Sequence, residues 1–563
     1  MTRFAGFTSA LLVAAPLALP AQTAEPVRLR TNPAIDRLVD SLEAEIPVRM
    51  TKQRSLPGLA IALIDREGIV WARGFGTTRA AGGTRIDTGT VFSVQSMSKT
   101  VTATAVLTAE RDGKVTLDAP ITDYLPDFTV QSRLEANPER RMTLRHLLSH
   151  HAGFTHEAPM GNNFDPTFPS FEVYAKSISQ TWLRYPVGQR YSYSNLGIDL
   201  AGYLLQVVSG RPFPDYVKTQ LLLPLGMKRS SFDWAWTRAE PNRAVGHASR
   251  FKVVPLEFGL IPSGGFYTSV ADLANFVRLH LNRGRVGARS LIPDRLLEEM
   301  STPQLTVPGQ LYGYGLGLGR YLRYGTAYYN HNGGGFGFLS HMSWYPEYGI
   351  GLIVLTNSTD NDMTGQFANQ VIDRVLMATL GRVPPADPVF PELRPGAIEP
   401  RVAEALVGTY LGRGSQIRLS QRGDTIGNET AGRFIPLSLF SESEGYFDQA
   451  VRIRVRFVRR SDGRPDRIIL VNGGDELDYN DGPTDPPGPD RADWSGYEGE
   501  YRYVVWGQDT TTNRVHRKNG YLYFNDLKLE EYRPGLFFTS TGEALDLRGP
   551  ILTWRNVKLW RTP

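Results

Sequence analysis

No cysteine occurs anywhere in the 563 residues, which excludes disulfide scaffolds, thiolate zinc sites, cysteine nucleophiles and a lipidated N-terminal cysteine. Whatever chemistry the chain performs uses oxygen and nitrogen. Beyond the N-terminus no stretch reaches the ~18 uninterrupted apolar residues that a membrane helix needs, so no transmembrane segment is expected. An excess of one charge is also missing: 62 Lys and Arg against 57 Asp and Glu leave +5 at neutral pH. No basic run is interleaved with aromatics, so no nucleic-acid partner is expected. The chain lacks Gly-x-Ser-x-Gly and His-Glu-x-x-His, which sets aside nucleophile-elbow hydrolases and the commonest zinc peptidases. What remains is a globular composition, 41% hydrophobic and 21% charged, with length for two or three domains.

The N-terminus reads as a secretory signal peptide over residues 1–21. It has a basic start at Arg3, an apolar run from Phe4 to Leu19 broken by Pro16, and a small-residue exit with cleavage expected after Ala21. The mature protein is therefore expected in a bacterial periplasm or outside the cell. Ile35, Leu38, Leu42 and Ile46 then recur at helical spacing until Pro57 and Gly58. Gly58 to Ile64 and Ile69 to Phe75 are short apolar runs separated by Asp65-Arg66-Glu67-Gly68, which is hairpin chemistry. Helical patterns dominate from Ser96 to about Phe276. Strand-like runs return at Tyr314 to Leu322, Phe338 to Trp344 and Gly351 to Leu355, before a helix with Phe367, Val371, Val375 and Ala378 on its core face. Strands at both ends with helices between predict an α+β domain over 30–382, its antiparallel sheet assembled from both termini.

Six prolines between Val383 and Pro400 predict an extended linker. The pattern beyond is all β. Val451, Ile453, Val455 and Phe457 alternate with Arg452, Arg454 and Arg456, an apolar face inward and a solvated basic face outward. A second Pro/Gly-rich break at Gly482 to Asp490 separates residues 401–482 from 491–563. The two parts open alike, with Gly408-Thr409-Tyr410 and Gly499-Glu500-Tyr501. That repeat fits two small barrels or two halves of one. Neither part holds a nucleophile with its base, so the region is expected to serve specificity or interaction, as a lid, a tether or a support.

Chemistry concentrates in Gln95-Ser96-Met97-Ser98-Lys99-Thr100, which opens a helical stretch from Val101 to Glu110. At i and i+3 the Ser96 hydroxyl and the Lys99 amine share one face, and loss of water around the lysine favours an uncharged, basic amine. That pairing makes a nucleophile with its base. Tyr191-Ser192-Tyr193-Ser194-Asn195 and His331-Asn332-Gly333-Gly334-Gly335 follow in order. They offer a phenol that can shuttle a proton, an amide that can orient a carbonyl, and a glycine-rich edge open to a reacting carbonyl.

The ordered set Ser96-x-x-Lys99, Tyr193-x-Asn195 and His331-Asn332-Gly333 resembles the serine β-lactamase and penicillin-binding protein superfamily, with its Ser-x-x-Lys, Ser/Tyr-x-Asn and Lys-Thr-Gly motifs. The tyrosine form of the second motif is similar to class C β-lactamases and their esterase and D-aminopeptidase relatives. The resemblance covers about Pro33 to Gly381. It implies a helical subdomain beside an α/β one, with Ser96 in the cleft between them. It also implies roles: Ser96 as acylated nucleophile, Lys99 as proton acceptor, Tyr193 as proton shuttle, and Asn195 as the amide orienting the substrate. The N–H groups of Ser96 and Gly334 would form the oxyanion hole, with His331, Asn332 and Gly333 binding substrate. His331 departs from the lysine of β-lactamases, replacing a permanent charge by a group of reference pKa about 6.5. That departure resembles D-aminopeptidase-type peptidases, whose relatives can carry lipocalin-like β domains after the catalytic one.

The expected activity is hydrolysis through an acyl-enzyme on short peptides or D-amino-acid-containing substrates, those derived from cell wall among them. A carboxylesterase with the same residues, a weak β-lactamase or penicillin-binding protein, and a non-enzymatic binder of envelope fragments are the alternatives. No cofactor is expected. His146, His150 and His151 superficially suggest zinc, but their spacing lacks a metal signature and no metal site is expected.

Overall fold

The computed structural model describes residues 26–53, 55–165, 167–249, 256–305, 313–384 and, with short gaps, 400–562. The expected signal peptide, residues 385–399 of the proline-rich linker, Val451, Arg452 and all of the 482–490 break except Gly488 lie outside the described residues.

Asn32 caps helix α1 (Pro33–Thr51) by accepting from the Ala34 N–H, and Pro33, which has no N–H to leave unpaired, takes the first helical position. Ile35, Leu38, Leu42 and Ile46 form its buried stripe. Strands β1 (Gly58–Ile64) and β2 (Ile69–Gly76) form the hairpin, whose turn is tied by Asp65 Oδ1 accepting from the N–H groups of Glu67 and Gly68. Helix α2 (Ser98–Arg111) starts three residues before the expected stretch, and helix α3 (Asn195–Ser209) follows the tyrosine motif.

The run Tyr314 to Leu322 is not one strand. It divides into β3 (Gly313–Tyr314) and β4 (Gly319–Arg323), because Gly317 turns the chain with φ +73° while packing against the carbonyl of Lys99. Strands β5 (Thr326–Gly335), β6 (Phe338–Tyr345) and β7 (Ile350–Thr356) precede helix α4 (Gly365–Leu380). The seven-stranded sheet runs β2-β1-β7-β6-β5-β4-β3, antiparallel throughout. Its β1–β7 pair therefore joins the two ends of the domain, Leu59 lying opposite Thr356.

Period two sorts β1 into two cores. Leu59, Ile61 and Leu63 pack with α1 and α4 on one face, whereas Ala60, Ala62 and Ile64 join the larger core that includes α2, α3 and the other helices of the middle segment. Each fully buried aliphatic contributes about 1.5–3 kcal/mol.

The C-terminal region contains two closed barrels of eight antiparallel strands each, in sequential order over Gly408–Asp481 and Gly499–Arg561. The repeated Gly-x-Tyr has a physical basis. Tyr410 and Tyr501 are buried, stand on the first strand of each barrel where it meets the last, and donate their hydroxyls to carbonyls four residues back, Leu406 at 3.0 Å and Tyr497 at 2.8 Å. On the basic strand, Val455 and Phe457 face inward and Arg456 pairs with Glu444 at 3.1 Å. The second barrel lies against the α+β domain, with Trp182 meeting Tyr532 and Phe538 edge-on and the Arg133 guanidinium 4.4 Å from the Phe538 ring centre.

Candidate active site

Ser96 sits in a tight turn, Gln95–Met97, that runs into α2. Gln95 has φ +50°, a left-handed conformation held by its side chain donating to Ser93 Oγ at 2.7 Å. Val94, just before it, is fixed from β6: Ser340 Oγ donates to the Val94 carbonyl at 2.8 Å. Gly333 on β5 comes so close that a Cβ would lie 2.0 Å from the same oxygen. Two strands of the sheet thus locate the turn, and Ser96 stays half-buried among buried neighbours.

Lys99 is wholly buried, at 0% exposure, and its Nζ has two polar neighbours: Ser96 Oγ at 3.0 Å and the Ser263 carbonyl at 3.0 Å. Nζ also lies 4.9 Å from the centre of the Tyr193 ring. The i, i+3 relation read from the sequence therefore becomes a contact, and Tyr193 completes a cluster of three. Tyr193 packs between the His150 ring at 4.4 Å and the His156 ring at 5.7 Å. Ser194 caps α3, so Asn195 is its first residue and is buried near the same place.

His331 is buried on β5. Its Nδ1 lies 2.6 Å from the Asn332 carbonyl, an acceptor only, so Nδ1 carries the proton and Nε2 accepts from the Tyr314 hydroxyl at 2.9 Å. Burial, then the nearby Lys99 charge, push its pKa down to about 3, and His331 is neutral at pH 7. Because β4 ends opposite Asn330, its pairing with β5 leaves His331–Gly335 beyond it, beside the Ser96 turn. Asn332, by contrast, is exposed and its Oδ1 accepts from His341 Nδ1 at 2.6 Å on the neighbouring strand. Of the glycines, Gly333 is buried against Val94 and Gly334 is exposed at the strand end.

Several groups at the site are not among the site residues expected from the sequence. The Ser263 carbonyl is a backbone atom, identical in every residue. Behind it stands Asp199, one turn along α3 from Asn195, which accepts from the Ser263 N–H at 2.8 Å, from Ser263 Oγ at 2.9 Å and from the Tyr174 hydroxyl at 2.6 Å. Burial pushes its carboxyl up to about 7, against the pull of those hydrogen bonds. Tyr314, read only as a strand residue, is the hydrogen-bond partner of His331 and packs on His150 at 4.7 Å. His146 closes a capping box with Thr143, and His151 Nδ1 lies 2.9 Å from the Ser149 carbonyl. Among the described residues no group of three acidic or imidazole side chains is placed to hold a metal.

Relatives of the chain are serine hydrolases. The D-alanyl-D-alanine-carboxypeptidase/endopeptidase AmpH of Escherichia coli (strain K12) is 28% identical over 320 residues, 54% of this chain and 80% of that protein. Esterase EstB of Burkholderia gladioli is 26% identical over 374 residues, 58% of this chain and 92% of that one. In fold, the octameric penicillin-binding protein homologue from Pyrococcus abyssi superposes with a TM-score of 0.52 at 23% identity, covering 78% of this chain and 99% of that one. The β-lactamase family model matches residues 35–377, more than half of the chain, and the protein belongs to that family. It is an enzyme of the serine hydrolase class. Among the described residues no helix is long and apolar enough to cross a membrane.

Proposed function

We propose that the protein is an exported hydrolase that forms an acyl-enzyme on Ser96 and acts as a peptidase or amidase on short peptides or D-amino-acid-containing substrates, fragments of cell wall among them. The observation that carries the reading is the position of Lys99 Nζ, within hydrogen-bonding distance of Ser96 Oγ and against the Tyr193 ring. In this scheme Ser96 Oγ bonds to the substrate carbonyl carbon as its proton passes to Lys99. The N–H groups of Ser96 and Gly334 receive the oxyanion. Tyr193 delivers the proton to the leaving nitrogen, the C–N bond breaks, and Asn195 holds the acyl chain. Water then attacks the acyl-serine, giving its proton back along the same path, and the acid departs. A neutral His331 where β-lactamases carry a lysine favours uncharged amides over ligands anchored by a carboxylate.

A carboxylesterase is the second reading, favoured by the similarity to an esterase over nearly that relative's full length. Export rests on the basic start and apolar run before Ala21, and mature protein beginning at Gln22 would check it. The deciding experiment combines fluorophosphonate labelling with a panel of peptides, D-amino-acid amides and short acyl esters. Labelling abolished by Ser96→Ala and turnover of the amides are expected. A Ser96→Ala protein that still hydrolyses them refutes the mechanism, and turnover of esters alone selects the second reading.

A further inference from the structure

Tyr193 and Asn195 depend on neighbours for their positions. The segment just before α3 belongs to no strand and is held by residues 150–156. The Ser192 N–H donates to the His150 carbonyl at 2.7 Å, the Ser194 N–H to His150 Nδ1 at 3.2 Å, and the Asn195 N–H to the His156 carbonyl at 3.2 Å. Ser192 Oγ donates to the Phe154 carbonyl at 2.7 Å and Ser194 Oγ to the Thr155 carbonyl at 2.6 Å. Where Tyr193 lies therefore follows from where Phe154, Thr155 and Ser192 lie.

The second barrel grips those residues from outside. Just after Thr541 and Gly542 it presents Glu543, whose Oε2 accepts from Thr155 Oγ1 at 2.6 Å and whose Oε1 is 2.9 Å from Arg184 Nε and 2.9 Å from Arg555 Nε. Arg184 in turn donates from Nη1 to Ser192 Oγ at 3.1 Å, and from Nε and Nη2 to the Thr541 carbonyl at 3.3 Å. At Gly542, with φ +80°, a Cβ would lie 2.4 Å from the Arg184 carbonyl, so the turn and the arginine backbone are in closest contact. Arg184 and Glu543 are 5% and 2% exposed. A buried ion pair is poor evidence of added stability, because desolvation offsets the attraction, but its directional bonds fix what they join. Here they join a barrel turn to both sides of the tyrosine segment.

We propose that Glu543 is a positioning residue for the reaction at Ser96. Through Thr155 and Arg184 it sets the segment bearing Tyr193 and Asn195, so that the site is complete only with the second barrel docked. The inference rests on the reading of Tyr193 as proton shuttle. It is tested on the full chain with p-nitrophenyl acetate, each preparation titrated with a fluorophosphonate so that kcat is per active site, alongside thermal melts. Glu543→Gln and Thr155→Val should each lower kcat about ten-fold or more while KM stays within about two-fold. Thr155→Ser, which keeps the hydroxyl, should restore the rate. Arg548→Ala, which breaks only the exposed pair with Asp546 in the same barrel, should change neither constant. Should Glu543→Gln fail to fold, Thr155→Val decides alone, since it leaves the Arg184 pair intact. A lower melting temperature with an unchanged kcat per site overturns the proposal. Wild-type protein that the probe does not label, or label that survives Ser96→Ala, instead refutes the underlying assignment of the nucleophile and the proposal with it.

Discussion

Gly333 offers a sharp test of how the sheet would serve Ser96 as the proposed nucleophile. Its backbone is unstrained, so the constraint on it is space alone. A Cβ would lie 2.0 Å from the Val94 carbonyl oxygen and 2.4 Å from Ser340 Oγ, where real Cβ contacts essentially never fall below 3.0 Å. In Gly333→Ala, β5 and the Val94–Ser96 turn must therefore separate by about 1 Å, since a packed interior has no slack to absorb the methyl group. Swinging Ser340 aside does not help, because its hydroxyl is what holds the Val94 carbonyl. A displacement of ~1 Å between a nucleophile and the groups that receive the oxyanion costs on the order of 100-fold in rate, or ~2.7 kcal/mol of barrier. Overpacking should also take about 1–3 kcal/mol from stability, leaving a folded protein. The assay is stopped-flow acylation by p-nitrophenyl acetate with a thermal melt of the same sample. Gly365→Ala, whose Cβ meets nothing within 4 Å, is the control. Folded Gly333→Ala that acylates at the wild-type rate would refute the idea that β5 and the Ser96 turn form one oxyanion site.

Lys99→Ala should slow acylation by about three orders of magnitude or more at neutral pH, and a full rate in burst kinetics would require another base. His331→Lys should shift the ratio of kcat/KM values toward substrates bearing a carboxylate, β-lactams included, by adding a fixed charge beside the oxyanion site; an unchanged ratio contradicts this. Asp199 supplies a pH test: with its carboxyl raised from 3.8 to about 7, its contribution to stability is complete below about pH 4 and is lost as pH rises toward 7, on the order of 4 kcal/mol in all. Asp199→Asn removes that slope, so the mutant's stability relative to wild type should rise between pH 4.5 and 7 in urea melts, and a constant difference counts against it. EDTA should leave activity unchanged, and loss restored by zinc would revive a metal role for His146, His150 and His151.

Much of this architecture was legible in the sequence where one period or one short spacing decides the outcome. The stripe of Ile35, Leu38, Leu42 and Ile46, the β1–β2 hairpin and the sheet drawn from both ends of the domain follow from local patterns. Ser96 and Lys99 are three residues apart, and helical geometry alone brings them together. What stayed hidden depends on long-range pairing or on backbone atoms. The break in Tyr314 to Leu322 comes from Gly317 packing on Lys99, a residue of another element. Whether the C-terminal region makes one barrel or two depends on Tyr410 pairing with Asp481 and Tyr501 with Arg561, contacts that no local pattern encodes. Asp199 looked like any helical aspartate until its partners Tyr174 and Ser263 arrived from elsewhere. Glu543 showed no signal at all, since its meaning lies in Thr155 and Arg184.

The register that sets Leu59 opposite Thr356 also governs when the protein can exist. The pairing of β1 with β7 is the last part of the sheet to become possible: β1 emerges early, yet its inner neighbour is made only after every helix of the intervening segment. Closing so long a loop is slow and entropically costly before any contact offsets it. Until then the strand keeps an open, apolar edge ready to pair with another chain. A nascent chain is thus held in an unfinished state until residue 356 is available, and a chain that stops before Ile350 lacks the strand that joins β1 and β2 to the rest of the sheet.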